Sequence, residues 1–597
     1  MNFGIWIYMQ HIAIIDFGSQ YTHLIARRIR ELSVLSKIYP TNIAAKDITK
    51  DTIGIILSGG PQSVYDNASP KVDSAIFDRG LPILGLCYGH QLMAHTLGGE
   101  VVPGTIREYG RAQLTILNAQ ALLDTVPSPT TVWMSHGDSV RTLPNGFTTT
   151  AETPDCPIAA MANPEKNFYG LQFHPEVHHS EHGTHILKNF VYKICNAEKN
   201  WNMENMVDDV IENIKKTVGQ KNVFLLVSGG VDSSVAFGLL TKALGAERVY
   251  GLYIDTDFMR LHESQEIKTS LEQAGFKNLH VLDASATFYK RLNGVCEPEE
   301  KRKIIGQAFL DVKDEAVKKL ALNPNEWMLG QGTIYPDTIE TGGTKHADTI
   351  KTHHNRVEAI QKLIEQGLVI EPIADFYKDE VRTIGELLGL PKELIERHPF
   401  PGPGLAIRIL CHDPSRADNN QLPTTNYQLL PIRSVGVQGD NRTYAHPIVF
   451  TEHADWETLD AQASAITNKE RAINRALLLL NPENGHTFEL PSKARTLTQD
   501  RIKLLQDIDA IVHQEIKQAG LYNNIWQFPV VLVPIGHTHF ESIILRPVES
   551  REAMTANFYR MPHNILERMV KKIIATKKID YIFYDITNKP PGTIEWE

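Results

Sequence analysis

Short apolar runs alternate with stretches of helical periodicity along this chain. His11 to Asp16 reads as a buried strand, Tyr21 to Leu32 as an amphipathic helix, and Ile53 to Leu57 as a second strand. Ser58, Gly59, Gly60 and Pro61 close that strand. The alternation predicts an α/β fold with a largely parallel sheet. The first region closes with a helix around Ile186 to Ile194, and the polar stretch Asn196 to Met203 predicts a linker. A second α/β unit starts with helix Met206 to Lys216 and strand Val223 to Val227 and runs to about Arg397. Pro399 to Gly404 then punctuates the chain.

Further on, an order of elements recurs. Arg433 to Val437, His446 to Phe450 and Arg475 to Leu480 read as strands, with a helix from Trp456 to Asn468 before the last of them. Val530 to Val533, Ser542 to Leu545, helix His563 to Ala575 and Tyr581 to Tyr584 repeat that order. Two β-β-α-β copies are expected, separated by the helical stretch Thr498 to Ala519. The expected domains are residues 10–197, 203–397, 398–497 and 498–597. The 597 residues agree, since roughly 150 residues per domain gives about four.

A content of 42% hydrophobic and 22% charged residues supports sizeable buried cores. The net charge of −10 excludes a general surface for nucleic acid or acidic membrane. It leaves room for local basic pockets that take small anions. Cys87, Cys156, Cys195, Cys296 and Cys411 are scattered, with no CxxC pair. Neither a zinc site nor a disulfide framework is expected, and a reducing cytoplasm is the natural compartment. Met1 to Met9 is apolar, short and free of basic residues, so neither a membrane span nor a signal peptide fits. It reads as a translated leader, with Met9 as the working start.

Two stretches carry chemistry. In the first, an apolar strand stops at Ser228, Gly229 and Gly230, and a new periodicity opens at Val231, Asp232, Ser233 and Ser234. Strand, tight turn and helix put backbone N–H groups, a helix N-terminus and three hydroxyls around one small volume. That nest suits pyrophosphate, yet it lacks the Gly-Lys-Ser/Thr ending of a Walker loop. In the second, Ile83 to Leu92 reads as a strand, a turn at Gly85 to Gly89, and a helix. A glycine on either side of Cys87 gives the nucleophile-elbow pattern. His174 supplies a base, Glu176 orients it, and the backbone at Gly59 and Gly60 offers an oxyanion hole. Seven other histidines of this region, His90, His95, His136, His178, His179, His182 and His185, are read as surface or structural.

The GGP, GLCYGHQ and FHPE runs resemble those of the class I glutamine amidotransferases. The resemblance implies a thioester on Cys87, release of ammonia, and glutamine held by Gly59 and Gln91 with help from Met134 to Asp138. The SGGVDSS loop resembles that of the ATP pyrophosphatases. Together with Gly330 to Asp337, Lys351 to Asn355, Phe376 to Val381, HPFPGPG and the tail Lys589 to Glu597, the chain from Ile12 onward resembles the glutamine-hydrolysing GMP synthases.

That family resemblance implies XMP, ATP and glutamine as substrates, with Mg2+ bridging the ATP phosphates. It places Lys378 on the phosphates or the adenylate and Asp232 on the metal. Arg302 would lie on a lid over XMP, and Lys589, Ile594 and Glu595 would bind the nucleotide, completed by Asp440 and Gln527. It also implies a monomer in which the duplicated module forms an internal pseudo-dimer. The sequence departs from the family at Asp257, where a glycine is usual. The pyrophosphatase loop alone leaves open an enzyme making NAD or asparagine, and a non-catalytic nucleotide sensor is a further alternative. The intact Cys87, His174 and Glu176 set argues against both.

Overall fold

The computed structural model describes residues 9–320, 322–337, 363–364, 366–412, 427–438, 441–470, 472–481, 491–550 and 556–597. It divides into two compact units, residues 1–210 and 211–597. Asp440 and the stretch Lys351 to Asn355 lie outside the described residues.

The first unit holds β1 (His11–Asp16), β2 (Ser36–Pro40), β3 (Thr52–Leu57), β4 (Ile83–Leu86), β5 (Glu100–Ile116), β6 (Thr130–Thr142), β7 (Thr148–Glu152), β8 (Ala160–Asn163) and β9 (Phe168–Leu171). They form one sheet in the order β2-β1-β3-β4-β9-β8-β7-β5-β6. The first five in that order are parallel to one another. The rest join antiparallel, so the expected parallel sheet is one half of the observed one. The links between β7, β8 and β9 are too short for the crossover a parallel pair requires. Ile12 to Ile15 are fully buried, and helix Thr22–Glu31 buries Ile25, Ala26 and Ile29 at helical spacing. Each such isoleucine contributes about 1.5–3 kcal/mol.

The second unit begins with β10 (Asn222–Leu226), β11 (Val249–Asp255), β12 (Leu279–Asp283), β13 (Trp327–Gly330) and β14 (Val369–Ile370). All pair in parallel, in the order β12-β11-β10-β13-β14. The chain steps outward from β10 to β12, then returns to the other side of β10. The loop after β10 therefore sits at a topological switch point, where a crevice opens.

Further along come β15 (Gln428–Leu429), β16 (Ser434–Gln438), β17 (Asn441–Phe450), β18 (Ile473–Asn481), β19 (Val530–Val533), β20 (Ser542–Leu545), the short pair β21 (Val548–Glu549) and β22 (Asn557–Phe558), and β23 (Ile582–Asp585). The main sheet runs β15-β17-β18-β23-β20-β19, and its pairings read the same from either end: antiparallel, parallel, antiparallel, parallel, antiparallel. The outer position opposite β19 belongs to β15. The expected first strand, β16, pairs instead with the early part of β17 and bridges Gly592 of the tail.

Two buried arginines hold that tail. Arg475 and Arg546 reach the two oxygens of Asp585 at 3.0 and 2.9 Å, and none of the three side chains is exposed. Arg475 also donates to the carbonyls of Thr593 and Glu595. One apolar core runs from Phe224 through Phe258 and Leu405 to Leu532 and Ile582, and a second holds Leu477, Val531, Phe583 and Trp596.

Candidate active sites

In the first unit, Leu86 at the end of β4 is the register partner of Leu171 at the end of β9. Cys87 directly follows the first and His174 comes three residues after the second, so both leave the ends of neighbouring strands. Cys87 has φ +50°, a left-handed backbone that costs an L-residue energy and needs enforcing. Its neighbours enforce it. A Cβ on Gly85 would stand 2.5 Å from the Gly89 carbonyl oxygen, and one on Gly89 would stand 2.2 Å from the Leu57 carbonyl oxygen. Only glycine lets helix Tyr88–Thr96 start this close to β3 and β4.

His174 Nδ1 lies 2.7 Å from Glu176 Oε1, with both residues buried. Burial works to discharge the ring. The Glu176 carboxylate and the Cys87 sulfur outweigh it, and the His174 pKa stands well above the ordinary histidine value. A cavity of about 700 Å³ opens over these groups, lined by Gly60, Cys87, Gln91, Ser135, Asp138 and His174 among others. Gly59 packs behind it, where a Cβ would come within 3.3 Å of His174 Cε1. Met134 to Asp138 is a stretch of β6 rather than a loop. The Gln91 amide donates to the Asp138 carbonyl at 2.8 Å and to Gln172 Oε1 at 3.1 Å.

Sequence reasoning missed Gln172, which is fully buried with its amide nitrogen 3.8 Å from Cys87 Sγ. Its place just before Phe173 and His174 was the available signal. His136, read as structural, is buried and lies 2.9 Å from Glu108.

In the second unit, the loop after β10 turns through Gly229 at φ +77° into helix Val231–Leu244. Its hydroxyls brace it: Ser233 Oγ accepts from the Ser228 N–H at 3.1 Å and donates to the Gly230 carbonyl at 3.1 Å. Ser234 is fully buried. Lys378, the first residue of helix Lys378–Leu387, reaches Asp232 Oδ2 at 2.5 Å. The other oxygen, Asp232 Oδ1, is buried without a partner among the described residues.

A cavity of about 600 Å³ lies here, lined by residues 227–232, Arg302, Lys378, Arg382, Arg397 and the loop His398 to Pro403. Arg302, expected on a lid over XMP, is on helix Pro298–Leu320. Arg382 and Arg397 were not foreseen. Lys378 and Arg382 stand four residues apart on one helix face, which was a legible signal. Arg397 donates to the Gly229 carbonyl at 2.8 Å.

Lys589, Ile594, Glu595 and Gln527 are not part of that lining. Glu595 is held by Arg408 at 2.7 and 3.0 Å and by the Gln527 amide at 2.9 Å. Arg546 donates to the Ile594 carbonyl at 3.1 Å. Lys589 exchanges backbone hydrogen bonds with Ala556, and burial, with Arg546 nearby, lowers its pKa. The tail does meet helix Pro298–Leu320, because Arg302 donates to the Glu597 carbonyl and Lys301 Nζ lies 2.6 Å from Glu597 Oε2.

Asp257 adopts φ +64°, and its N–H bonds Asp255 Oδ1 at 3.0 Å. A glycine is at ease in that conformation, and aspartate is among the few side chains that tolerate it.

Residues 13–194 match the family model for class-I glutamine amidotransferase, residues 202–304 that for NAD synthase, and residues 514–596 that for the GMP synthase C terminal domain. A protein of Leptospira interrogans named probable GMP synthase (glutamine-hydrolyzing) is 50% identical, with 98% of this chain and 99% of that protein covered. The GMP synthase of Aquifex aeolicus is 38% identical, with 98% and 99% covered. That of Lactobacillus johnsonii is 39% identical, with 98% of each covered. An elbow cysteine with its His–Glu pair, a glycine-serine turn into a helix at a switch point, and identity sustained over nearly the whole length lead to one family: the chain belongs to the glutamine-hydrolysing GMP synthases.

Proposed function

We propose that this chain makes GMP from XMP, using ATP to activate the acceptor and glutamine to supply nitrogen. The observation that carries the reading is one chain bearing both an elbow thiol beside a charged histidine and a cation-ringed cavity around the SGGVDSS loop. Cys87 attacks the glutamine amide, His174 carries the proton, and Glu176 holds the ring. Gly59 and Gly60 face the developing oxyanion, and Gln91 frames the substrate. The released ammonia needs shelter from water, since near neutral pH it is mostly ammonium and cannot attack.

In the second cavity, residues 228–234 cradle the ATP phosphates, with Lys378, Arg302, Arg382 and Arg397 around them. XMP oxygen attacks the α-phosphorus and pyrophosphate leaves; ammonia then displaces AMP. Mg2+ fits the residues present, because Asp232 keeps one buried carboxylate oxygen without a partner among the described residues, beside the nest. When bound, it would neutralise phosphate charge. Lys378 passes from Asp232 to the phosphates as ATP enters. Arg302 and the tail residues Lys589, Ile594 and Glu595, with Gln527 and Asp440, form the XMP side.

The mirrored pairing about β18 and β23 supports two β-β-α-β copies within residues 398–497 and 498–597, acting as an internal pseudo-dimer in a monomer. Residues 10–197 serve as the glutaminase and 203–397 as the ATP pyrophosphatase. Thiols in all five cysteines support a cytoplasmic site of action. No described helix is long and apolar enough to cross a membrane. The test is XMP-dependent exchange of labelled pyrophosphate into ATP without any nitrogen donor. Exchange independent of XMP would refute the acceptor.

A further inference from the structure

One pair of cysteines stands in contact outside both cavities. Cys296 lies just ahead of helix Pro298–Leu320, and Cys411 follows the bridge that joins Ile409 to Leu532 of β19. Their side chains are in hydrogen-bonding contact. Cys411 Sγ lies 3.9 Å from the Ile409 carbonyl, which also accepts Lys301 Nζ at 2.8 Å. Lys301 in turn contacts the Cys411 sulfur. Arg501 approaches from the other side, donating to the Leu410 carbonyl at 3.1 Å.

Glu597 and Glu541 face the same sulfur, but each is paired with one of the cations. Lys301 is 2.6 Å from Glu597 and Arg501 is 2.8 Å from Glu541. The hydrogen bond from Cys296 lowers the Cys411 pKa, against burial and with help from Lys301 and Arg501. Both cysteines are partly exposed, whereas Cys87, Cys156 and Cys195 are buried. A thiol held toward thiolate, in reach of solvent and touching a second thiol, has the makings of an oxidisable site.

We propose that Cys296 and Cys411 form a dithiol site that peroxide converts to a disulfide, fastening the lid helix to the segment that leads into the C-terminal sheet. The Cys411 thiolate attacks one oxygen of hydrogen peroxide. The S–O bond forms, the O–O bond breaks, and hydroxide leaves as water after taking a proton. Cys296 sulfur then attacks Cys411 sulfur. The S–S bond forms, the S–O bond breaks, and the departing hydroxide takes the Cys296 proton. Two electrons pass from two thiols to one peroxide, and two waters are made. Because Arg302 lies near the start of the same helix, the bond restrains one wall of the nucleotide cavity. This consequence for turnover rests on the function proposed above, while the disulfide does not.

The experiment uses the full chain, reduced and then exposed to hydrogen peroxide, with peptide mapping by mass spectrometry. The expected product is a peptide joining Cys296 to Cys411, formed before Cys156 or Cys195 reacts and reversed by dithiothreitol. Ammonium-dependent GMP formation, which bypasses Cys87, falls about tenfold in the oxidised protein. It recovers on reduction, and Cys296→Ser keeps its rate under peroxide. Sulfinic acid on Cys411 with no cross-link overturns the proposal, and a cross-link that leaves the rate unchanged upholds the disulfide but overturns its restraint of the nucleotide cavity. If the reduced protein makes no GMP, the functional reading fails while the peptide map still decides the disulfide.

Discussion

Leu86 and Leu171 are register partners at the ends of β4 and β9, and that pairing brings the segments carrying Cys87 and His174 out side by side. A shift of one residue in either strand would turn the following side chain to the other face of the sheet. The glutaminase geometry is thus a consequence of strand register and of two glycines, Gly85 and Gly89, that let the elbow close.

Gly89→Ala tests the elbow. The added methyl meets the Leu57 carbonyl at 2.2 Å, so β3 or the helix has to move. The expected loss is about 1–3 kcal/mol in urea denaturation of the first transition. Glutaminase turnover should fall with it, while ammonium-dependent GMP formation persists.

Glu176→Gln should change how stability depends on pH. The folded His174 pKa is raised, so its contribution is fully present below the unfolded value of about 6.5 and is lost as pH rises through the folded pKa. The stability difference between wild type and Glu176→Gln should be largest near pH 6 and shrink as pH climbs. A difference that grows with pH would contradict this assignment.

Lys378→Ala should cut XMP-dependent pyrophosphate exchange by about a hundredfold or more, as loss of a phosphate clamp does. Thiol alkylation at Cys87 should proceed at the wild-type rate in the same protein.

Asp585→Asn should cost about 3–5 kcal/mol, because it removes the carboxylate that pairs with both buried guanidiniums, Arg475 and Arg546. Denaturant melts would read that loss, and weakened XMP binding would follow as the tail Thr593 to Trp596 loosens.

Much of this was legible because local chemistry and local structure coincide. The elbow and the phosphate loop each need glycines at fixed offsets around a strand end, so residues 83–92 and 226–235 declare their geometry. Long-range pairing is another matter. Nothing in Arg433 to Val437 says that β16 leaves the main sheet for the tail, or that Gln428 and Leu429 take the outer place. Arg397 and Gln172 escaped notice for the same reason: their partners, Gly229 and Cys87, are far off in sequence. Asp257 is the reverse case, since its left-handed backbone explains in one angle a departure from the family that the sequence presents only as an oddity.

The central claim is that one site makes ammonia and the other spends it on activated XMP. The most direct measurement is GMP formation from XMP and Mg-ATP by wild type and Cys87→Ala, each with glutamine or ammonium. Wild type should use both donors and the variant ammonium alone. A variant that still uses glutamine, or a wild type that makes no GMP from either donor, would contradict the account.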